Sequence, residues 1–140
     1  MRLERSQVQG PGLAHLAQSP GLTTLGLGQL PIEDAHVAPL AALRGVRTFE
    51  ASGSRLTREV GPHLAGWSQL EILQLAGTQV DGAALIALST RSLRLLDLRG
   101  TPTGDVDVAL LGEHPQLYAL NLAQTQVTDD GLTHFGAFPG

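Results

Sequence analysis

The chain has 140 residues, of which 42% are hydrophobic, and a formal net charge of −4; that is enough for one domain with a sizeable core. The charge balance excludes the strongly basic footprint of a nucleic-acid binder. There is no cysteine, so disulfides and thiolate metal sites are excluded as well.

The N-terminal stretch MRLERSQVQGPGL holds no apolar run of signal-peptide length, and no later segment reaches bilayer-spanning length. No membrane partner is expected, and a cytoplasmic location is. All nine basic residues are Arg, and 17 Gly with 8 Pro in so apolar a chain mean many turns rather than disorder.

Taken in order, the predicted elements repeat. Residues 1–21 are an incomplete copy, with Leu3, Val8, Leu13 and Leu16 in phase with Leu27, Ile32, Val37 and Leu40. Looser copies start at Leu22 (LTTLGLGQLPI) and Val46 (VRTFEASGSRL). Three closer ones follow: LEILQLAGTQV from Leu70, LRLLDLRGTPT from Leu93 and LYALNLAQTQV from Leu117. The steps are 24, 24, 23 and 24, with the short step in the loop Ser89 to Ser92.

Each copy opens with LxxLxL, whose last two apolar residues are spaced by two and share one face of a short strand. Phe49, Leu73, Leu75, Leu96, Leu98, Leu120 and Leu122 are therefore expected in the core. The Gly and Thr that follow turn the chain, and the hydroxyls of Thr78, Thr101 and Thr125 are placed to satisfy backbone groups at that turn. The second half spaces its apolar residues for a short helix: Val37 with Leu40 and Leu43, Leu85 with Leu88, Val108 with Leu111, Leu132 with Phe135 and Phe138. Leu43, Trp67 and Phe138 close the coil, and Pro20, Pro115 and Pro139 mark the return to the next strand.

The repeated LxxLxL, with a second half best seen in VTDDGLTHF (Val127 to Phe135), resembles the leucine-rich-repeat family over essentially the whole chain. The period is similar to that of the cysteine-containing and ribonuclease-inhibitor-like classes and to bacterial repeats of like length. Where those classes often place Cys or Asn, this chain has Leu30, Ser54, Thr78, Thr101 and Thr125. The resemblance implies an α/β, right-handed solenoid arc with one parallel strand and one short helix per repeat. It implies five to six repeats in a single domain, 1–140, with no obvious capping modules. Five strands ~4.8 Å apart make a face roughly 20–25 Å long.

Two adjacent carboxylates, Asp129 and Asp130, raise the question of an acidic site. In the phase of Thr128 stand Gly104, Asp81, Thr57 and Glu33, so nearly every copy puts a capping residue just before its helix. A carboxylate in the first turn is also favoured by the helix dipole, by ~0.3–1 kcal/mol. The pair therefore reads as a helix start; a calcium loop would need more oxygen ligands than Asp105 and Asp107 offer. His15, His63 and His134 share one outer phase but lie two and three coils apart, so they cannot meet on one metal; with His36 and His114 they read as surface residues. There is no GxSxG elbow and no phosphate loop. No catalytic, metal or cofactor site is expected.

Solenoids usually bind on the concave sheet face. Its middle column runs Gly26, Glu50, Gln74, Asp97, Asn121, flanked by Thr24, Thr48, Ile72, Leu95, Ala119 and by Gly28, Ser52, Ala76, Arg99, Ala123. Glu50 and Asp97, two strands or ~10 Å apart, exceed the ~6.5–9.5 Å of paired glycosidase carboxylates. The expected site binds another protein through Glu50, Ile72, Gln74, Leu95, Asp97, Arg99 and Asn121. Arg47, Glu71 and Arg94 share a further column and are expected to pair across the ladder, with Tyr118 stacked on Arg94. Both termini fall at repeat boundaries, so a second expectation is assembly through uncapped coil ends, with a copy of itself or with further repeats. A third is the substrate-recruiting part of a larger effector or ubiquitin-ligase-like protein.

Overall fold

The computed structural model describes residues 1–88, 92–111 and 114–135. The loop 89–91 and the expected roles of Phe138 and Pro139 lie outside the described residues. Five strands form one parallel sheet in chain order: β1 Thr24–Gly26, β2 Thr48–Glu50, β3 Ile72–Gln74, β4 Leu95–Asp97 and β5 Ala119–Asn121. Between and after them come five short helices: α1 Asp34–Val37, α2 Gly61–Leu64, α3 Gly82–Ala87, α4 Asp105–Leu111 and α5 Asp129–Leu132. Successive coils stack strand on strand and helix on helix. This is an α/β leucine-rich-repeat solenoid of about five repeats.

The incomplete first copy behaves as a further coil. Arg2 bridges to Gly26 in parallel, and the Leu3 N–H donates to the Gly26 carbonyl just as the Leu27 N–H donates to that of Glu50. The 3-10 turn Pro11–Gln18 stands where later coils have α-helix. A smaller ladder recurs beyond three of the strands: Arg55 N–H donates to the Ile32 carbonyl, Gln79 N–H to that of Leu56 and Gln126 N–H to that of Thr103; the residue in the same phase of the β4 coil is Pro102, which has no N–H to give.

The core follows the two apolar periods. Leu25, Phe49, Leu73 and Leu96 are wholly buried, as are Leu27, Ala51, Leu75 and Leu98. Leu40, Leu64, Leu88 and Leu111 answer them from the helical side of the coils. Trp67 closes the third coil: its ring meets Phe49 edge-on at 5.1 Å, and its Nε1–H donates to the Leu40 carbonyl at 3.0 Å. A buried indole needs such a partner.

The turn hydroxyls act as expected. Thr78, Thr101 and Thr125 donate to the carbonyls of Leu75, Leu98 and Leu122 at 2.6–2.7 Å. Ser54 stands in the same phase, yet its Oγ is buried without a hydrogen-bond partner.

The last coil departs from expectation. Leu120 and Leu122 are only partly buried, and Leu132 is 54% exposed. In a solenoid each coil's apolar edge is covered by its neighbour, and no strand lies beyond β5 among the described residues.

Candidate functional site

The register decides which side chains share the open face of the sheet. Thr24, Thr48, Ile72, Leu95 and Ala119 align in one row; Gly26, Glu50, Gln74, Asp97 and Asn121 align in the next. Ile72 and Leu95 are thus direct neighbours, as are Gln74 and Asp97. All four are partly exposed, and Arg99 and Asn121 are exposed. The seven residues read from the sequence therefore gather on one accessible patch spanning β2 to β5.

Three of these side chains also have a structural task absent from the sequence reading. The Ser52 N–H donates to Glu50 Oε1 at 2.9 Å, the Arg99 N–H to Asp97 Oδ1 at 3.0 Å, and the Ala123 N–H to Asn121 Oδ1 at 3.1 Å. Each closes the bend after its strand, as Asx-type turns do. One oxygen is thereby held, and the orientation of the group is set. The signal was present as an acid or amide at the same phase in copies beginning at Val46, Leu93 and Leu117. Arg99 Nε donates to Gln124 Oε1 at 3.2 Å, which draws its guanidinium toward the next coil. The Glu50 carboxylate lies over Gly28, where any Cβ would collide with it; glycine there leaves it room.

The neighbouring charged column is only half as expected. Arg47 Nη1 donates to Glu71 Oε1 at 2.7 Å. Among the described residues no ion pair joins Arg94 to Glu71, and no ring contact joins it to Tyr118. The Glu71 carboxylate is turned to Arg47, and Arg94 remains exposed. What links Arg94 to Tyr118 is backbone: the Arg94 carbonyl accepts from the N–H groups of Tyr118 and Ala119.

Asp129 and Asp130 open α5, with Thr128 as its cap: Thr128 Oγ1 accepts from the Asp130 N–H. Thr57 and Asp81 cap in the same way. The informative carboxylates lie one coil earlier. Asp34 accepts from both the N–H and the hydroxyl of Thr57 at 2.9 and 2.6 Å. Asp105 does the same for Thr128 at 2.7 and 2.6 Å. A first-turn Asp thus latches the cap residue of the following coil. The Thr128 hydroxyl, then its N–H, lower the Asp105 pKa from the ordinary value of 3.8, aided by His134.

Of the histidines, His15 and His134 are exposed. The surface reading fails for His114, which is buried in the coil-closing phase of Leu43 and Trp67. His36 is partly exposed, and its Nδ1 accepts from the Glu33 N–H at 3.0 Å in a capping box. Among the described residues no three His, Asp or Glu side chains come together as a metal site would require, and no helix is long and apolar enough to cross a membrane.

No protein-family model matches the sequence, and comparison with curated proteins gives no match. Solved structures do match. Internalin F from Listeria monocytogenes superposes with a TM-score of 0.75 at 24% identity, over 89% of this chain and 36% of that one. Internalin C2 from the same organism gives 0.70 at 26% identity, over 89% and 53%. A TDR receptor gives 0.60 at 18%, over 89% and 22%, a likeness of fold alone. The chain spans about a third of the first internalin and about half of the second.

Proposed function

Since the chain is a leucine-rich-repeat protein, we propose that it is a non-catalytic scaffold that binds another protein on the open face of its sheet. The observation that carries this reading is the alignment of Ile72 with Leu95 beside the row Glu50, Gln74, Asp97 and Asn121. Two partly exposed aliphatic side chains form an apolar centre. Around it stand oriented acceptors, and Arg99 supplies a donor at the rim; interfaces combine an apolar core with a polar rim in this way. The flanking residues Ser52, Ala76, Ala119 and Ala123 are small. Glu50 and Asp97 each spend an oxygen on a backbone N–H, on a flat, open sheet that lacks the enclosure needed to raise a carboxylate pKa for acid catalysis.

The test uses the wild type and the double variant Gln74→Arg/Asp97→Arg as immobilised baits for proteins of the source cell. Both sites are solvent-accessible, so the variant is expected to keep its circular dichroism and melting temperature while losing the proteins that wild type retains. Equal retention by the folded double variant sinks the open-face reading.

A further inference from the structure

The open face carries carboxylates that no cation of the chain answers. Among the described residues neither Glu50 nor Asp97 forms an ion pair. Each gives one oxygen to a backbone N–H, which fixes the group and leaves it a second oxygen to accept with. Glu4 adds a third carboxylate, lying over Gly26 as Glu50 lies over Gly28. The cations of the same face do not neutralise them. Arg99 donates to Gln124, and Arg2, in the row of Gly26, forms no ion pair among the described residues.

Glu50 and Asp97 share one row, with Gln74 between them, two strand spacings or ~10 Å apart. That distance selects the shape of what can bridge them. An extended segment covers it in about three residues, and residues three apart on a strand point to opposite sides. An α-helix covers it in about seven residues at ~1.5 Å each, so residues i and i+7 fall on one stripe. Residues i+3 and i+4 lie between them, one on each side of that stripe. Whichever way the helix runs, one of the two leans to the flank where Ile72 and Leu95 stand side by side.

We propose that the partner lays an amphipathic α-helix across the strands, with Arg or Lys at i and i+7 on Glu50 and Asp97 and an apolar side chain at i+3 or i+4 on Ile72 and Leu95. This rests on the open-face reading and adds the chemistry of its partner. Acceptors oriented before the partner arrives need no ordering when it does, so the face selects spacing as well as charge. A helix with carboxylates in those places is repelled. One with its cations five residues apart turns the second away from the sheet.

The probe is a stapled helical peptide of about 15 residues with Arg at i and i+7 and Leu at i+3 and i+4, its binding to the full chain followed by fluorescence anisotropy. Two control peptides move the second Arg to i+5 or replace both Arg by Glu. Wild type is expected to bind the first peptide about tenfold more tightly than either control, as two exposed ion pairs allow. The preference is expected to fade between about 50 mM and about 500 mM salt. Glu50→Gln/Asp97→Asn keeps side-chain oxygens that accept from the Ser52 and Arg99 N–H groups, so it is expected to fold as wild type does and to bind the three peptides alike. Wild type that binds the three alike, or none of them, overturns the helix proposal. A folded Glu50→Gln/Asp97→Asn variant that keeps the preference overturns it too. The open-face reading is judged separately: where Gln74→Arg/Asp97→Arg still loses the proteins that wild type retains, that reading stands and the helix alone falls.

Discussion

One residue in every coil carries a left-handed backbone. Arg5, Gln29, Gly53, Gly77, Gly100 and Gln124 share one repeat phase, and their φ values run from 59° to 73°. Glycine bears this without cost, whereas other residues lose roughly 1–2 kcal/mol. At Gly77 a Cβ would come no nearer than 3.9 Å to its neighbours, so only the backbone penalty acts. Gly77→Ala is expected to lower unfolding stability by about 1 kcal/mol, and Gln124→Gly to raise it by a similar amount. Urea titration measures both, and a neutral Gly77→Ala rejects the account. Asp105 supplies a second residue-scale test. Its folded pKa lies below the ordinary value of 3.8, so its stabilising effect is complete above that value and fades as pH falls through the folded pKa. The melting temperature of wild type is expected to exceed that of Asp105→Asn at pH 7, with the gap closing as pH falls below the ordinary carboxylate value of 3.8. A gap that is constant from pH 7 to pH 2 means that the carboxylate charge contributes nothing.

Between helical elements the coils fit by size. In three stacked pairs glycine meets a larger side chain: His36 covers Gly10, Asp107 covers Gly82, and Asp105 covers Gly131, whereas Gly61 packs against Ala84. A Cβ at Gly82 would stand against the Asp107 carboxylate, which itself accepts from the Gly104 N–H at 2.7 Å. The α4–α5 junction solves the same problem in reverse, with Asp first, Gly second and Thr128 as the latched cap. Gly82→Asp alone is therefore expected to cost about 2 kcal/mol or more through overpacking and like charge. Adding Asp107→Gly and Gly104→Thr rebuilds the Asp105–Thr128–Gly131 arrangement one coil earlier, and most of that loss is expected to return. Thermal melts of the single and triple variants decide it; a triple variant less stable than Gly82→Asp means the junctions are not interchangeable. This complementarity was legible in the sequence only as a shared phase, because the fit joins residues two positions apart in phase on successive coils.

Across the whole molecule, stability is built from neighbouring pairs of coils. Strands pair only in series, and each helix meets the helical segments of the coils beside it. Such an architecture behaves as a sum of repeat and nearest-neighbour contributions. Val37 and Val108 are both wholly buried and stand three coils apart, in α1 and α4. Val37→Ala and Val108→Ala are each expected to cost about 2 kcal/mol, and the double variant their sum to within about 0.5 kcal/mol. A coupling above about 1 kcal/mol in denaturant titrations would mean that the sheet transmits strain along its length, contrary to the nearest-neighbour picture.

The repeat period by itself determined the coil, the strand and helix phases, the buried leucines and the columns of the open face. Those follow from spacing along one chain, and five copies in register leave little freedom in how they stack. Only the tertiary structure decided what each polar side chain does within its column. The sequence placed Glu50 and Asp97 on the open face but not their bonds to the Ser52 and Arg99 N–H groups. It aligned Arg47, Glu71 and Arg94 but not the choice of Arg47 as partner, since one carboxylate between two guanidiniums is settled by rotamers. It set His114 in phase with Trp67, yet a single imidazole carries no periodic signal of burial. The exposure of Leu132, with the same phase as buried Val108, likewise depends on whether a neighbour covers the coil, which no pattern within one repeat encodes.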